Sequence, residues 1–126
     1  MRLSTRLHGM LDYLVGALLI AAPWILDFAR GGPETWVFVG AGAAALAYSL
    51  FTDYELGLVR RIQMPVHLWL DGLSGIFLAV SPWIFAFDNE VRIPHVAAGV
   101  FEIVVALMTN TIPGYERRRG VRPEIG

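Results

Sequence analysis

The sequence contains no cysteine and no lysine. Without cysteine there are no disulfides, thiolate metal sites, iron–sulfur clusters or thiol nucleophiles, though the redox compartment stays open. Without lysine, all ten basic residues are arginine. Charge of either sign is scarce: 17% of residues are charged and 56% are hydrophobic. A water-soluble domain of 126 residues needs more polar surface than that. The formal net charge of −1 argues against nucleic acid as a partner, because such binders carry a basic excess.

What the chain has instead is four apolar runs, at 7–28, 34–51, 66–87 and 95–112. Each is near the length a helix needs to cross ~30 Å of hydrocarbon. A helix in a soluble bundle would show a polar face every turn, yet 14–25 and 37–50 carry no charge in any register. The first run, with Arg2 and Arg6 before it and Ala21-Ala22 near its end, has the outline of a signal peptide. Its pattern recurs later in the chain, so it reads as a retained helix.

Shifted by 59 residues, the sequence lies on itself without a gap. His8 falls on His67, Asp12 on Asp71, Gly16 on Gly75, Pro23-Trp24-Ile25 on Pro82-Trp83-Ile84, and Phe28 on Phe87. Gly40 then falls on Gly99, Ala47 on Ala106 and Thr52 on Thr111. Ten positions between His8 and Phe28 are identical in the two copies, which marks an internal repeat. Each copy holds two spanning segments. An even number returns the chain to its starting side, so the repeats insert the same way up, about a pseudo-two-fold axis along the membrane normal.

Arginine placement orients the bundle. Arg2, Arg6, Arg60, Arg61, Arg117, Arg118, Arg119 and Arg122 fall on one side; only Arg30 and Arg92 fall on the other. The positive-inside rule puts both termini in the cytoplasm. The expected organisation is one membrane domain over 1–126: a first repeat at 6–53, a cytoplasmic linker at 54–64, a second repeat at 65–113 and a basic cytoplasmic tail at 114–126. Pro33, Pro65 and Pro94 mark helix starts, and Pro113-Gly114 marks the last helix end. Thr52 and Glu55 have capping-box spacing. They would open a short amphipathic helix on the inner surface, with Leu56, Val59 and Ile62 toward lipid; an ordinary loop is the alternative.

The triplets Ala22-Pro23-Trp24 and Ser81-Pro82-Trp83 each end a membrane segment. They resemble the hallmark of the SPW-repeat membrane family, with Ala in place of Ser in the first copy. The upstream pairs His8/Asp12 and His67/Asp71 fit that family's pattern, and the resemblance runs from about residue 6 to 113. It implies a small integral membrane domain of bacteria or archaea with no established activity, and it adds no catalytic residue. Pro23 and Pro82 each remove a helix hydrogen bond, so they kink or end their helices. Trp24, Trp83 and Trp36 suit an outer interfacial belt, and Tyr54 and Tyr115 the inner one.

Charged groups within the hydrocarbon are costly. Asp12, Asp71 and Glu102 fall inside the runs, with His8 and His67 one turn nearer the cytoplasm and His95 at the outer mouth of the fourth run. At 100° per residue, His8, Asp12, Gly16, Leu19 and Pro23 share an arc of about 80°. His67, Asp71, Gly75, Leu78 and Pro82 repeat it, so both stripes face the bundle interior. Gly16 and Gly75 then permit the first and third helices to meet closely. Glu102, opposite Ala43 at a shift of 59, has no counterpart and also points inward; it reads either as a neutral, protonated acid bonded to a backbone carbonyl or to Tyr48, or as a functional group that gives the two halves different jobs.

Three readings of the stripe compete. The leading one is a polar clasp that fixes helix register. The second is a ligand, proton or ion site centred on His8, Asp12, His67 and Asp71 and extended by Glu102. The third is metal or haem ligation through His8 and His67. No Ser or Cys nucleophile stands beside the pairs, so no enzyme is expected. The reading is an all-α, four-helix transmembrane bundle of two tandem hairpins with no expected cofactor. Its partner is the lipid bilayer, with a second copy or another membrane protein as candidate associate.

Overall fold

The computed structural model describes residues 3–109. Arg2, Thr111, Pro113-Gly114, Tyr115 and the arginines of the tail lie outside the described residues, as does the end of the fourth apolar run. The described chain is all-α: α1 (Thr5–Ile25), α2 (Pro33–Leu50), α3 (Met64–Ile84) and α4 (Ile93–Met108), with no strand among them. Two helices, α1 and α3, are long and apolar enough to cross a membrane; α4 is apolar but shorter. At ~1.5 Å per residue, the 21 residues of α1 and of α3 each reach about 31 Å.

Local chemistry sets the helix starts. The Ser4 hydroxyl caps α1 by accepting from the Leu7 amide at 3.1 Å. Pro33, Pro65 and Pro94 occupy the first or second position of α2, α3 and α4, where a missing amide hydrogen leaves no bond unmade.

The triplets end the other two helices in an organised way. Past Pro23 and Trp24, Asp27 adopts a left-handed backbone (φ 59°), and past Pro82 and Trp83 so does Ala86 (φ 57°). The Phe28 amide donates to the Pro23 carbonyl and the Phe87 amide to the Pro82 carbonyl, both at 2.8 Å. These are Schellman closures with the proline in the last turn. Phe28 and Phe87, the residues just beyond, turn back into the apolar core beside Phe38, Leu19 and Leu78. Proline leaves the carbonyl four residues before it without its usual donor. In the second copy the Ser81 hydroxyl supplies one, donating to the Leu78 carbonyl at 2.8 Å. That is a physical reason for serine in the triplet. Trp24, Trp36 and Trp83 are more than half exposed.

Both stripes expected from the spacing are turned inward. His8, Gly16, Leu19 and Pro23 are buried on α1, with Asp12 only 10% exposed. His67, Asp71, Gly75, Leu78 and Pro82 are buried on α3.

The packing differs from expectation in one respect. α1 lies along α2, α3 lies along α4, and α2 meets α3; α1 and α3 make little backbone approach. Gly16 and Gly75 do sit at helix contacts, but within their own hairpins. Gly16 faces Gly42 and Leu46 of α2, and Gly75 faces Gly99 and Ile103 of α4. The reason is geometric: a short loop holds the second helix of each hairpin beside the first, so it claims the small-residue face.

These contacts also correct the repeat's register. Gly16 pairs with Gly42, and Gly75 with Gly99; Phe28 stacks on Phe38 and Phe87 on His95. The first helices correspond at a shift of 59, the second helices at 57. The step from Phe28 to Phe38 is ten residues and that from Phe87 to His95 is eight, so the connection of the second hairpin is two residues shorter. Gly99 therefore answers to the buried Gly42, not the exposed Gly40, and Glu102 answers to the buried Ala45, not the exposed Ala43.

Residues 51–63 hold turns and one isolated bridge, Thr52 to Ile62, and no helix. The expected capping box does not form, because both side chains are engaged elsewhere. The Thr52 hydroxyl donates back to the Tyr48 carbonyl at 2.6 Å, and Glu55 accepts from the Thr5 hydroxyl at 2.7 Å.

Candidate functional site

The four repeated polar residues converge at one end of the bundle. His8 Nε2 lies 3.0 Å from Asp12 Oδ1 and 2.7 Å from Asp71 Oδ2. His67 Nε2 lies 2.8 Å from Asp12 Oδ2 and 3.2 Å from Asp71 Oδ2. Each imidazole thus faces the carboxylate one turn on in its own helix and the carboxylate of the other hairpin. The rings meet edge to face, with centroids 5.4 Å apart. His8 and His67 are 1% and 0% exposed, so these contacts are shielded from water.

The back of each ring is fixed by a threonine of the opposite hairpin. His8 Nδ1 lies 2.7 Å from Thr109 Oγ1, and His67 Nδ1 lies 2.6 Å from Thr52 Oγ1. Each hydroxyl spends its own hydrogen on a helix-end carbonyl, Thr109 on Val105 and Thr52 on Tyr48, both at 2.6 Å. The threonine oxygens can therefore only accept, which puts a hydrogen on each Nδ1 and points each Nε2 at the carboxylates. The backbone repeats this exchange. The Leu3 amide donates to the Met108 carbonyl and the Ile62 amide to the Phe51 carbonyl, both at 2.7 Å. The segment before each first helix is thereby tied to the end of the other hairpin's second helix.

The symmetry of the cluster is broken on one side. The Tyr48 hydroxyl donates to Asp71 Oδ1, whereas the equivalent position in α4 is Val105. Among the described residues, Asp12 has no such phenol. Moreover, Asp12 Oδ2 and His67 Nε2, though 2.8 Å apart, lie off the hydrogen-bond direction, and both are buried without another hydrogen-bond partner.

Glu102 stands just beyond. It lines a cavity of about 20 Å³ together with His8, Asp12, Asp71, Gly16 and Ala45, enough for roughly one water. Its Oε2 is buried and unpartnered, and Ser74 is its hydroxyl neighbour. It bonds neither Tyr48 nor a backbone carbonyl among the described contacts, so the expected partner is replaced by Ser74. Tyr54, in the 51–63 connection, is fully buried with its ring 5.6 Å from that of His67. Burial, followed by the nearby Asp12 charge, pushes its phenol up from the ordinary value.

His95 is not part of this cluster. It sits at the opposite end, ringed by Phe28, Phe38 and Phe87. Its Nε2 donates to the Glu34 carbonyl at 2.9 Å, tying α4 to α2 there. Pro23, Trp24, Ser81, Pro82 and Trp83 also lie at that end and contribute no atom to the cluster. Sequence reasoning missed Thr52 and Thr109 as the ring partners, and Tyr48 as the partner of Asp71. The signal available was a threonine at or just past the end of each second helix.

A family model described as the SPW repeat domain matches residues 6–109. No curated protein and no solved structure matches the chain. The match covers most of the sequence, and the chain belongs to the SPW repeat family.

Proposed function

We propose that this SPW repeat protein is a multi-pass membrane module in which all four helices cross the bilayer and a buried His/Asp cluster joins the two hairpins. The carrying observation is the cross-over itself: each imidazole contacts the other hairpin's carboxylate and hangs on the other hairpin's threonine. Removing any one of these groups strands its partners in a dry interior.

The outer surface supports the membrane part of the reading. Leu14, Leu18, Trp69, Leu73, Ile76, Val104 and Leu107 are all exposed along the helix flanks, an apolar surface unlike that of a soluble monomer. Arg6, Arg60 and Arg61 are exposed at the cluster end, and Arg30 and Arg92 at the other. With the positive-inside rule this supports the reading in which the cluster end, the 51–63 connection and both termini face the cytoplasm. The reciprocal contacts support a pseudo-two-fold axis along the membrane normal. On this reading the module has no catalytic role, and it associates through its apolar flanks with lipid, a second copy or another membrane protein.

The experiment compares Asp12→Asn and Asp12→Leu by unfolding of the purified protein in detergent. Asn keeps the shape and one acceptor, so it is expected to be the milder change. Leu takes one of the two carboxylates away from each Nε2, leaving Asp71 alone to face both rings, and is expected to lose about 1–3 kcal/mol. Wild-type stability for Asp12→Leu would overturn the joint.

A further inference from the structure

The geometry points to a divalent first-row transition-metal ion, held by His8 Nε2, His67 Nε2 and one oxygen each of Asp12 and Asp71. This inference rests on the reading of the cluster as the joint between hairpins, and it names what that joint holds.

Four observations carry it. First, the four donor atoms lie within 4.8 Å of one another, drawn from two helices and largely sealed from solvent. Second, both rings are committed at the back. Because Thr52 and Thr109 spend their hydrogens on the Tyr48 and Val105 carbonyls, each Nδ1 donates outward and each Nε2 presents its ring edge inward. Fixing the far nitrogen of a ligating histidine in this way is the usual outer-shell arrangement of metal sites. The Tyr48 hydroxyl does the same for Asp71, holding Oδ1 and leaving Oδ2 toward the rings. Third, Asp12 Oδ2 and His67 Nε2 are buried at 2.8 Å without a hydrogen bond in the right direction. In a neutral ring with its hydrogen on Nδ1, Nε2 turns a lone pair toward the carboxylate, and a cation between them satisfies both. Fourth, two neutral imidazoles, two carboxylates and one divalent cation sum to zero charge, which lowers the penalty for polar groups inside a membrane helix.

Size and donor type narrow the ion. Ligand bonds of ~2.0–2.2 Å around a tetrahedral centre set donor atoms roughly 3.3 Å apart. Asp71 Oδ2 lies 2.7 and 3.2 Å from the two Nε2 atoms and Asp12 Oδ2 lies 2.8 Å from that of His67, separations that need to open by a few tenths of an ångström. The adjoining cavity of about 20 Å³ leaves space for that movement or for one water as a further ligand. Calcium takes six to eight oxygens and magnesium an octahedral, mostly hydrated shell. Two imidazoles with two carboxylates suit zinc, iron or manganese instead. Glu102, across the cavity, lies outside the set of four.

The test uses the full chain in detergent, stripped with a chelator and then titrated with Co²⁺ followed by visible absorption, and with Zn²⁺ followed by metal analysis after gel filtration. The expected result is one ion per chain, with ligand-field bands typical of four- or five-coordinate Co²⁺ that Zn²⁺ displaces. Asp12→Asn is expected to lose the bands. Thr52→Val, which touches no ion but frees the back of the His67 ring along with the Tyr48 carbonyl, is expected to weaken binding about 10–100-fold. Gly40→Ala, a control away from the cluster where an added Cβ meets nothing within 4 Å, is expected to bind as wild type. Absence of the cobalt bands together with zinc no higher than in Asp12→Asn would overturn the metal. Unfolding of the stripped protein separates this from failure of the joint. If wild type binds no ion but Asp12→Leu still lowers its metal-free stability, the metal is wrong and the joint stands.

Discussion

Replacing Gly42 with alanine should separate α1 from α2, while the same change at Gly40, two residues away, should not. A Cβ at Gly42 would lie 2.5 Å from the Gly16 carbonyl oxygen, 2.9 Å from Ile20 Cγ1 and 3.0 Å from Leu19 Cβ. Two of these neighbours belong to the backbone or stand next to it, so no rotamer change relieves them. The oxygen contact is about 1 Å short of the roughly 3.5 Å of ordinary packing. The helices must move apart by a comparable amount, and a gap of that size forfeits about a quarter to a half of each van der Waals well along the crossing. Overpacking of this kind costs about 1–3 kcal/mol. At Gly40 an added Cβ meets nothing within 4 Å. Alanine raises helix propensity by roughly 1 kcal/mol at either site, so that contribution cancels when the two variants are compared. Gly42→Ala is therefore expected to fall about 1–3 kcal/mol below Gly40→Ala in reversible unfolding by SDS titration in mixed micelles. Equal stabilities, or Gly40→Ala as the weaker protein, would refute the packing. It would also restore the ungapped register in which Gly40, not Gly42, answers to Gly99.

Ser81→Ala removes the hydroxyl that serves the Leu78 carbonyl and is expected to lower stability by about 0.5–1.5 kcal/mol in the same assay; an unchanged midpoint would refute its role as the donor that proline displaces. Reporter fusions at residue 126 and within the Gly31-Gly32 turn test the topology. A cytoplasmic readout is expected from the first and an external one from the second, and the reverse pair would refute the orientation.

The stripes from His8 to Pro23 and from His67 to Pro82 were legible because a helix converts spacing into direction, and an apolar chain has few polar residues to place. The helix starts were legible at Pro33, Pro65 and Pro94 for a similar reason: proline acts on its own local backbone. The register of α2 against α4 was not. The glycines and alanines between Gly40 and Ala47 resemble one another, so several alignments match. The two-residue difference between the hairpin connections only shows once Gly42 and Phe38 have found their partners. Thr52 was legible as a residue near a helix end but pointed to the wrong neighbour. Capping is local, whereas its actual partner, His67, lies fifteen positions on and meets it only after the chain has turned. Thr109 and His8 are separated by 101 positions, beyond any local pattern. The exclusion of α1–α3 glycine contact likewise required the short loops to be seen holding α2 and α4 in place.

The most direct test of the joint between hairpins is a double-mutant cycle on His8→Gln and Asp71→Asn, which belong to different hairpins and lie 2.7 Å apart. Unfolding free energies of wild type, both single variants and the double variant in mixed micelles yield the coupling. A favourable interaction of at least about 0.6 kcal/mol, the average for polar pairs between membrane helices, is expected. Additivity within roughly 0.3 kcal/mol, as for independent sites, would contradict the account.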